Sequence, residues 1–365
     1  MDKILVLSNS AAGLYLFRRE LICALADRFD IVAAVPDDGR YAARLRNLGC
    51  RIVHTQVDRR GTDPFRDMKL CFRYRNLLRS EKPVFVISYT IKPNLYGGFA
   101  CARAGIIHYA NVTGLGSAFE HTLLRRLVLL MYRVCLRRSS TVFFENAGNL
   151  DSLVSHGAVR PEQCCLLNGA GVDTARFPFE RYPPERYAVR FLFVGRIMRE
   201  KGVSELLTAV RRLRSEGTEA VVTMVGPEEE KCIPEINAAA DEGAVIYEGF
   251  REDVLPFYRD CDCLVLASYH EGMANVLLEA ASTGRPLIAS DIHGCREAGE
   301  PGVNGFLCRA GDADSLYRSM KSFCSLPYAR RAAMGRESRR IAEERFDRRK
   351  VIAATLDRLL QPQEV

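Results

Sequence analysis

The sequence predicts an α/β protein built as two doubly wound parallel-sheet domains, and three observations carry that prediction. Short apolar runs alternate with longer amphipathic stretches, the rhythm of a parallel sheet covered by helices on both faces. The alternation runs twice, and between the two runs the stretch RFPFERYPPERYAVR, residues 176–190, holds three prolines and no periodicity. A chain of 365 residues with 48% hydrophobic content is also long for one core and comfortable for two domains of roughly 100–200 residues each.

The first run opens with an apolar strand at 3–8, a short loop ending at Gly13, an amphipathic stretch to about residue 29 and a second strand at 31–35. That is a strand–helix–strand opening. Further strands follow at 84–88, 106–112 and 141–144, and together they define an N-terminal domain at 1–178. Residues 179–189 read as a linker, because proline removes backbone donors and fixes the chain outside helix and sheet. The second run has strands at 190–194, 220–225, 245–248, 263–267 and 286–290, with a helix from Ser204, giving a C-terminal domain at 190–345. A last helix at 346–365 is expected to cross back to the N-terminal domain. Ligands of such sheets sit outside the carboxyl ends of the strands, so a cleft between the two facing domains is the expected site.

Composition narrows the function. Met1-Asp2-Lys3 leads directly into a strand and no apolar run reaches the ~18 residues of a membrane span, so a cytoplasmic protein is expected. The thirteen cysteines lack CxxC pairing, and Cys164-Cys165 and Cys261-x-Cys263 read as reduced core residues rather than as disulfides or a zinc site. Charge is uneven: residues 1–180 carry 25 basic against 16 acidic side chains, net +9, and residues 181–365 carry 27 against 29, net −2. The first half is therefore the one expected to meet an anionic partner.

Two motifs of the second half carry chemistry. In HEGMANVLLEA, residues 270–280, Glu271 falls in a turn after an apolar strand and Glu279 inside a helix opening at Asn275. Taken alone, these two carboxylates fit a solvated turn and an ordinary helix as well as a site. GRIMREKG, residues 195–202, places Gly195, Arg196, Lys201 and Gly202 after a strand and before a helix. A guanidinium and an ammonium five residues apart can close around a diphosphate, the first gripping oxygens bidentately, the second acting as a point charge. The amides of Met273, Ala274, Asn275 and Val276 are the free donors expected at the helix start, where the dipole also favours an anion.

No metal is expected. Asp260-x-Asp262 precedes its apolar strand instead of following it, and Asp312-x-Asp314 falls where a helix cap is wanted. The loop SNSAAG has one glycine where a dinucleotide fingerprint wants three, which argues against a nicotinamide cofactor. Gly13 is left to let the backbone approach a phosphate or sugar.

GRIMREKG, EGMANVLLEA, STGRPLIASD and GVNGF, in this order, resemble the C-terminal domain of family 4 glycosyltransferases, which have the GT-B architecture of two facing Rossmann-like domains. TIKPNLYGG at 90–98, NVTGLGSAF at 111–119 and VFFEN at 142–146 resemble the branch that extends undecaprenyl-diphosphate-linked sugars, N-acetylgalactosaminyltransferases among them. The resemblance runs nearly end to end. It implies that Glu271 lies beside the donor sugar, that Glu279 binds ribose hydroxyls, that Arg196 and Lys201 hold the diphosphate, that Phe250 and Arg251 hold the base, and that Gly13 meets the donor phosphate. It implies retention of anomeric configuration, through an oxocarbenium-like ion stabilised around the leaving diphosphate, with a UDP-sugar as donor and, from the residues above, no cofactor. Two departures stand out. Asn111-Val112-Thr113-Gly114 lacks a histidine that many relatives carry, leaving Thr113 or backbone to contact the sugar, and Ala274 replaces a common proline.

The first half offers the acceptor side. LLRRLVLLMYRVCLRR, residues 123–138, has five arginines and no acid, so it reads either as a domain helix with snorkelling arginines or as an in-plane contact with anionic lipid through Arg125, Arg126, Arg133 and Arg137. Residues 56–79 hold seven basic side chains against three acids, so Arg59 and Arg60 could join Lys92, Thr113 and Gly114 in receiving an acceptor diphosphate. Nucleic acid is not expected, since no recognition helix or aromatic-interleaved platform is present. The expectation is a peripheral enzyme on the inner face of the plasma membrane that moves an N-acetylhexosamine, such as N-acetylgalactosamine, from a UDP-sugar to a polyprenyl-diphosphate-linked saccharide. A GT-B enzyme with a soluble acceptor, a sugar-nucleotide epimerase and a non-catalytic nucleotide-sugar-binding protein are the alternatives.

Overall fold

A computed structural model of the chain describes residues 1–58, 63–115 and 122–361, and the chain divides into two compact units. The first takes in Met1–Ala170 with Val351–Val365, the second Gly171–Lys350.

Among the described residues of the first unit, seven parallel strands are β1 (Asp2–Leu7), β2 (Phe29–Val35), β3 (Arg51–His54), β4 (Phe85–Tyr89), β5 (Ile107–Val112), β6 (Thr141–Phe144) and β7 (Cys164–Leu166). They lie in the order 3-2-1-4-5-6-7, so the sequence order reverses between β1 and β4. The helices are α1 (Ala11–Ala26), α2 (Arg40–Asn47), α3 (Pro64–Glu81), α4 (Gly98–Ala104), α5 (Thr122–Cys135) and α6 (Ala147–Ser155), with a π-helical turn at Pro93–Gly97 running into α4. Local chemistry sets their starts. The Ser10 hydroxyl accepts from the Gly13 amide at 3.0 Å, Asp63 caps α3 with Pro64 in its first turn, and Asn146 accepts from the Asn149 amide at 2.8 Å.

Side-chain alternation gives this sheet two cores. Ile4, Val6, Ile31, Ala33, Phe85 and Ile87 pack with α1, α2 and the C-terminal Val351 and Leu359. Leu5, Val32 and Val86, and further along Ala110 and Val142, point to the other face, where α3, α4 and α5 pack.

In the second unit six parallel strands, β8 (Val189–Val194), β9 (Ala220–Val225), β10 (Val245–Gly249), β11 (Cys263–Leu266), β12 (Leu287–Ser290) and β13 (Gly305–Cys308), lie in the order 10-9-8-11-12-13. Its helices are α7 (Val203–Ser215), α8 (Ile233–Asp241), α9 (Leu255–Asp260), α10 (Asn275–Ser282), α11 (Ala313–Cys324) and α12 (Tyr328–Arg345), while α13 (Arg348–Leu360) belongs from Val351 onward to the first unit. Here the order reverses between β8 and β11, and the loops leaving their carboxyl ends are GRIMREKG and the turn that carries Glu271.

Three features differ from the sequence reading. The stretch read as a linker belongs to the second unit: Phe177 and Tyr182 are buried, Tyr182 donates to the Asp262 carbonyl at 3.0 Å, and Glu180 donates its amide to the Thr283 carbonyl. Its prolines exclude helix and ladder, yet Phe177 and Tyr182 still find a core, while Phe179 and Tyr187 stay exposed. The strands β3, β7 and β13, unassigned from sequence, have three or four residues each. Cys164 and Cys165 sit half-buried on β7 rather than in the core, while Cys261 and Cys263 are buried, and all thirteen cysteines are unpaired. The aspartates weighed as metal ligands have other partners: Asp312 caps α11, accepting the Ser315 amide at 2.8 Å, Asp260 pairs with Arg186 and Arg190, and Asp262 accepts the Arg190 amide.

Candidate active site

The β8 loop is built around Gly202. Its φ of +71° suits glycine, and a Cβ there would fall 2.2 Å from the Ala267 carbonyl oxygen at the end of β11. That close approach ends the turn Arg199–Lys201 against the neighbouring strand and places Lys201 at Glu271, with Nζ 2.5 Å from Oε1 and both side chains largely buried. Arg196 does not join them. It pairs with Glu229 at 2.7 Å, nearer the surface.

The Glu271 turn is held by a segment that sequence reasoning missed, 293–297. Gly294 has φ +88°, and a Cβ on it would lie 2.5 Å from the Gly272 oxygen and 2.9 Å from that of Glu271. Its carbonyl accepts the Ala274 amide at 2.8 Å and its own amide donates to Glu297 at 2.7 Å. The Ala274 amide is thus not free for an anion, contrary to the sequence reading, because its partner lies twenty residues further on. The helix α10 does open at Asn275, with no side chain capping it, and Met273 and Ala274 are buried beneath the turn. The Asn275 side-chain oxygen is buried without a hydrogen-bond partner. Val276, in the first turn, stays half-buried.

Glu279 sits one turn into α10 and accepts from the Tyr258 hydroxyl at 2.9 Å. Burial pushes its carboxyl up to about 7, against the hydrogen bond from Tyr258 and the charges of Arg176 and Arg348. The same burial, with Glu279 beside it, raises the Tyr258 phenol.

Gly195 and Gly226 follow β8 and β9, Gly249 ends β10, and the three strand ends are tied together: the Gly195 amide donates to Val225 and the Gly226 amide to Gly249. Phe250, next in the chain, is exposed, and Arg251 pairs with Glu248 at 2.8 Å. An exposed ring beside three backbone-only residues is a surface on which a planar base can lie.

In the first unit Gly13 is not in a loop but in the first turn of α1, where Ser10 already holds its amide. Lys92 is engaged too, with Nζ 2.6 Å from Asp67, which also accepts the Tyr96 hydroxyl. Thr113 and Gly114 follow the carboxyl end of β5, half-buried, and Asn111 is buried, donating to the Ser88 carbonyl. Arg59 and Arg60 lie outside the described residues. Two features of this edge, and one nearer the amino end of β5, were not read from sequence. Thr90, just after β4, has φ +74°, costly for a β-branched residue, and its hydroxyl and the Asn9 side-chain oxygen are buried without partners. Glu145, just after β6, forms a buried ion pair with Arg18, whose guanidinium lies 5.1 Å from the Tyr89 ring centre. His108 bridges Ser88 and Ser139 at 2.8 Å each, and burial drives its imidazole to about 3, keeping it neutral. The signal for Glu145 was available as an acid ending an apolar strand; the Thr90 backbone had none.

Arg126 and Arg133 on α5 and Arg137 in the turn just past it are exposed, whereas Arg125 contacts His156 at 2.9 Å. Among the described residues no helix is long and apolar enough to cross a membrane.

Comparison with known proteins places these residues in context. Residues 13–170 match the family model of the glycosyl transferase 4-like domain and residues 188–325 that of glycosyl transferases group 1. The chain is 28% identical over 328 residues, 85% of it and 86% of the relative, to a Campylobacter jejuni N,N'-diacetylbacillosaminyl-diphospho-undecaprenol alpha-1,3-N-acetylgalactosaminyltransferase. It is 26% identical, over 70% of either chain, to an Escherichia coli UDP-Gal:alpha-D-GlcNAc-diphosphoundecaprenol alpha-1,3-galactosyltransferase. In fold it is similar to Anabaena HepE, solved in complex with UDP and glucose, with a TM-score of 0.80 over 99% of this chain and 100% of that one at 18% identity.

Proposed function

The chain belongs to the family 4 glycosyltransferases of GT-B fold, and from that premise we propose that it transfers an N-acetylhexosamine, such as N-acetylgalactosamine, from a UDP-sugar to a polyprenyl-diphosphate-linked saccharide. The observation that carries the reading is the Lys201–Glu271 ion pair, held by a strand-end glycine on one side and the 293–297 segment on the other. A donor diphosphate is a stronger partner for Lys201 than one carboxylate. Its arrival draws the ammonium away and leaves Glu271 to face the sugar, while Arg196, near the surface, can exchange Glu229 for phosphate oxygens. Lys201, Arg196 and the start of α10 then stabilise the charge that develops as UDP leaves, the part otherwise taken by a metal ion. Glu271 faces the sugar as a charge rather than as a nucleophile, and departure of UDP and attack by the acceptor on the same face of the sugar retain its configuration. Glu279 accepts the ribose hydroxyls, and Phe250 with Arg251 carries the base.

The acceptor side is the carboxyl edge of the first sheet, where Thr113 and Gly114 meet the saccharide and Lys92 exchanges Asp67 for the acceptor diphosphate. The exposed arginines of α5 hold the protein, peripherally, on the anionic inner face of the plasma membrane. The two undecaprenyl-linked relatives support this reading of the acceptor.

A panel of UDP-sugars offered with polyprenyl-diphosphate-linked acceptors, read as released UDP in the presence of chelator, tests the whole. UDP release from an N-acetylhexosamine donor that depends on the lipid-linked acceptor is expected. UDP binding without turnover on any acceptor would reduce the protein to a binding module. Activity lost in chelator and restored by manganese or magnesium would overturn the metal-free role of Lys201 and Arg196.

A further inference from the structure

Helix α3 carries a feature that neither donor nor acceptor chemistry uses. Phe65, Met68 and Phe72 are between 52% and 74% exposed, a large aromatic and aliphatic area to leave in water. On a helix turning about 100° per residue they form one narrow stripe. The buried residues Leu70, Tyr74, Leu77 and Leu78 lie on the opposite side and pack on the sheet, so the stripe is not a misplaced core face. Lys69, Arg75 and Arg79 flank the stripe and are exposed. In the chain without acceptor the acids of α3 are neutralised within the protein, Asp67 by Lys92 at 2.6 Å with a further hydrogen bond from Tyr96, and Glu81 by Lys3 and Arg51.

The pattern is that of α5. There Leu127, Leu130 and Val134, between 53% and 57% exposed, stand at the same i, i+3, i+7 spacing beside Arg126 and Arg133, with Arg137 just past the helix end and Val128, Leu129 and Tyr132 buried opposite. The two helices cover one face of the first sheet. Leu70, Tyr74 and Leu77 of α3 pack on Leu5, Val32 and Val86, and Val128 and Tyr132 of α5 pack on Ala110 and Val142, which alternation places on the same side.

We infer that α3 is a second membrane-seated helix, which enters the headgroup region of an anionic bilayer through Phe65, Met68 and Phe72 while its cations meet lipid phosphates. Bare exposed apolar stripes suit many partners; a stripe edged by cations with its acids internally paired suits an anionic lipid surface. A single amphipathic helix can roll about its axis, whereas two on one layer fix which face of the unit meets the lipid, and so the distance of the β4 and β5 carboxyl ends from the headgroups. The inference rests on the membrane reading of the proposed function and adds α3 to it.

The chain contains no tryptophan, so Phe72→Trp introduces a single indole that can be excited apart from the tyrosines. With vesicles containing phosphatidylglycerol its emission should shift to the blue and be quenched by lipids brominated on the acyl chain. Tyr187→Trp, at a position 88% exposed in the second unit, should show neither change. The triple variant Phe65→Ser, Met68→Ser, Phe72→Ser should lose about tenfold or more in vesicle affinity while its circular dichroism and UDP affinity stay as in the wild type. Wild-type protein that fails to bind the vesicles at low salt removes the membrane reading and this inference with it. Vesicle binding by wild type and triple variant alike, with Phe72→Trp unquenched, removes α3 alone. A blue shift of Phe72→Trp that grows with protein concentration in the absence of lipid would mark the stripe as a contact between copies and overturn the inference.

Discussion

Glu279 is a carboxyl group kept from water, and burial, opposed by the Tyr258 hydroxyl and by Arg176 and Arg348, sets its pKa to about 7 against 4.5 when free. The folded protein therefore binds a proton more readily than the unfolded chain between these values. Stability from this group is present below the unfolded pKa and lost as pH rises through the folded one, by roughly 3 kcal/mol at most. The melting temperature of the ligand-free protein should accordingly fall between pH 5 and pH 8 by more than that of Glu279→Gln; parallel curves would show that Glu279 titrates normally. Ribose hydroxyls reverse the preference, since they donate best to the ionised form. UDP affinity of the wild type, compared with Glu279→Gln by calorimetry, should gain as pH rises through 7, and an equal pH dependence of the two would remove Glu279 from the ribose. Lys201 acts later. Its charge matters most when UDP departs, so Lys201→Ala should cost roughly a hundredfold in kcat, with a smaller effect on UDP affinity. A variant with unchanged kcat and raised KM would make Lys201 a ground-state contact only.

The turn carrying Glu271 depends on a partner segment, and Gly294 is where that dependence can be tested. Alanine there adds a Cβ 2.5 Å from the Gly272 oxygen at a backbone angle of +88°, so the turn must move. Gly294→Ala should weaken UDP-sugar binding and kcat together, by about tenfold or more, since a displacement near 1 Å at a catalytic turn costs on that order. Near-wild-type kinetics would mean the segment does not set the turn. How far such elements can be read from sequence follows from the range of the contacts that make them. The strands ILVL and CLVL are self-sufficient signals, because a fully buried parallel strand is apolar at every position. The start of α10 at Asn275 was legible for a similar reason, lying where an apolar helical pattern begins. The short strands β3, β7 and β13 were not, since three or four residues hold no period and gain their identity from a neighbour already in place. The same holds at the site. Lys201 and Glu271 were named from motifs seventy residues apart, but the pairing of Arg196 with Glu229, of Lys92 with Asp67 and of the Ala274 amide with Gly294 is long-range and carries no local mark. The segment read as a linker failed in the opposite sense: its prolines were informative about backbone, and its aromatics, Phe177 and Tyr182, about packing.

The chain is not divided where its sequence is. Residues that follow Lys350 belong with the first 170, so the first unit is completed only when the C-terminus is made. Val351 and Leu359 are buried in the core beneath β1, β2 and β4, Ile352, Leu356 and Leu360 pack against it, and the Tyr109 hydroxyl donates to the Leu359 carbonyl. Two fully buried aliphatic side chains and three partly buried ones amount to roughly 5 kcal/mol or more of transfer free energy, comparable with the whole stability of an ordinary domain. A chain ending at Lys350 should therefore lose the first unit and keep the second, whose core and donor residues lie within Gly171–Lys350. Amide exchange is the direct check: β1, β2 and β4 should lose most of their protection, whereas β8, β9 and β11 keep theirs and UDP affinity stays within about threefold of wild type. Transfer to an acceptor should vanish. Equal protection of both sheets in the shortened chain would show that α13 merely covers a core that closes without it, and loss of UDP binding together with the first sheet would show that the two units do not fold independently.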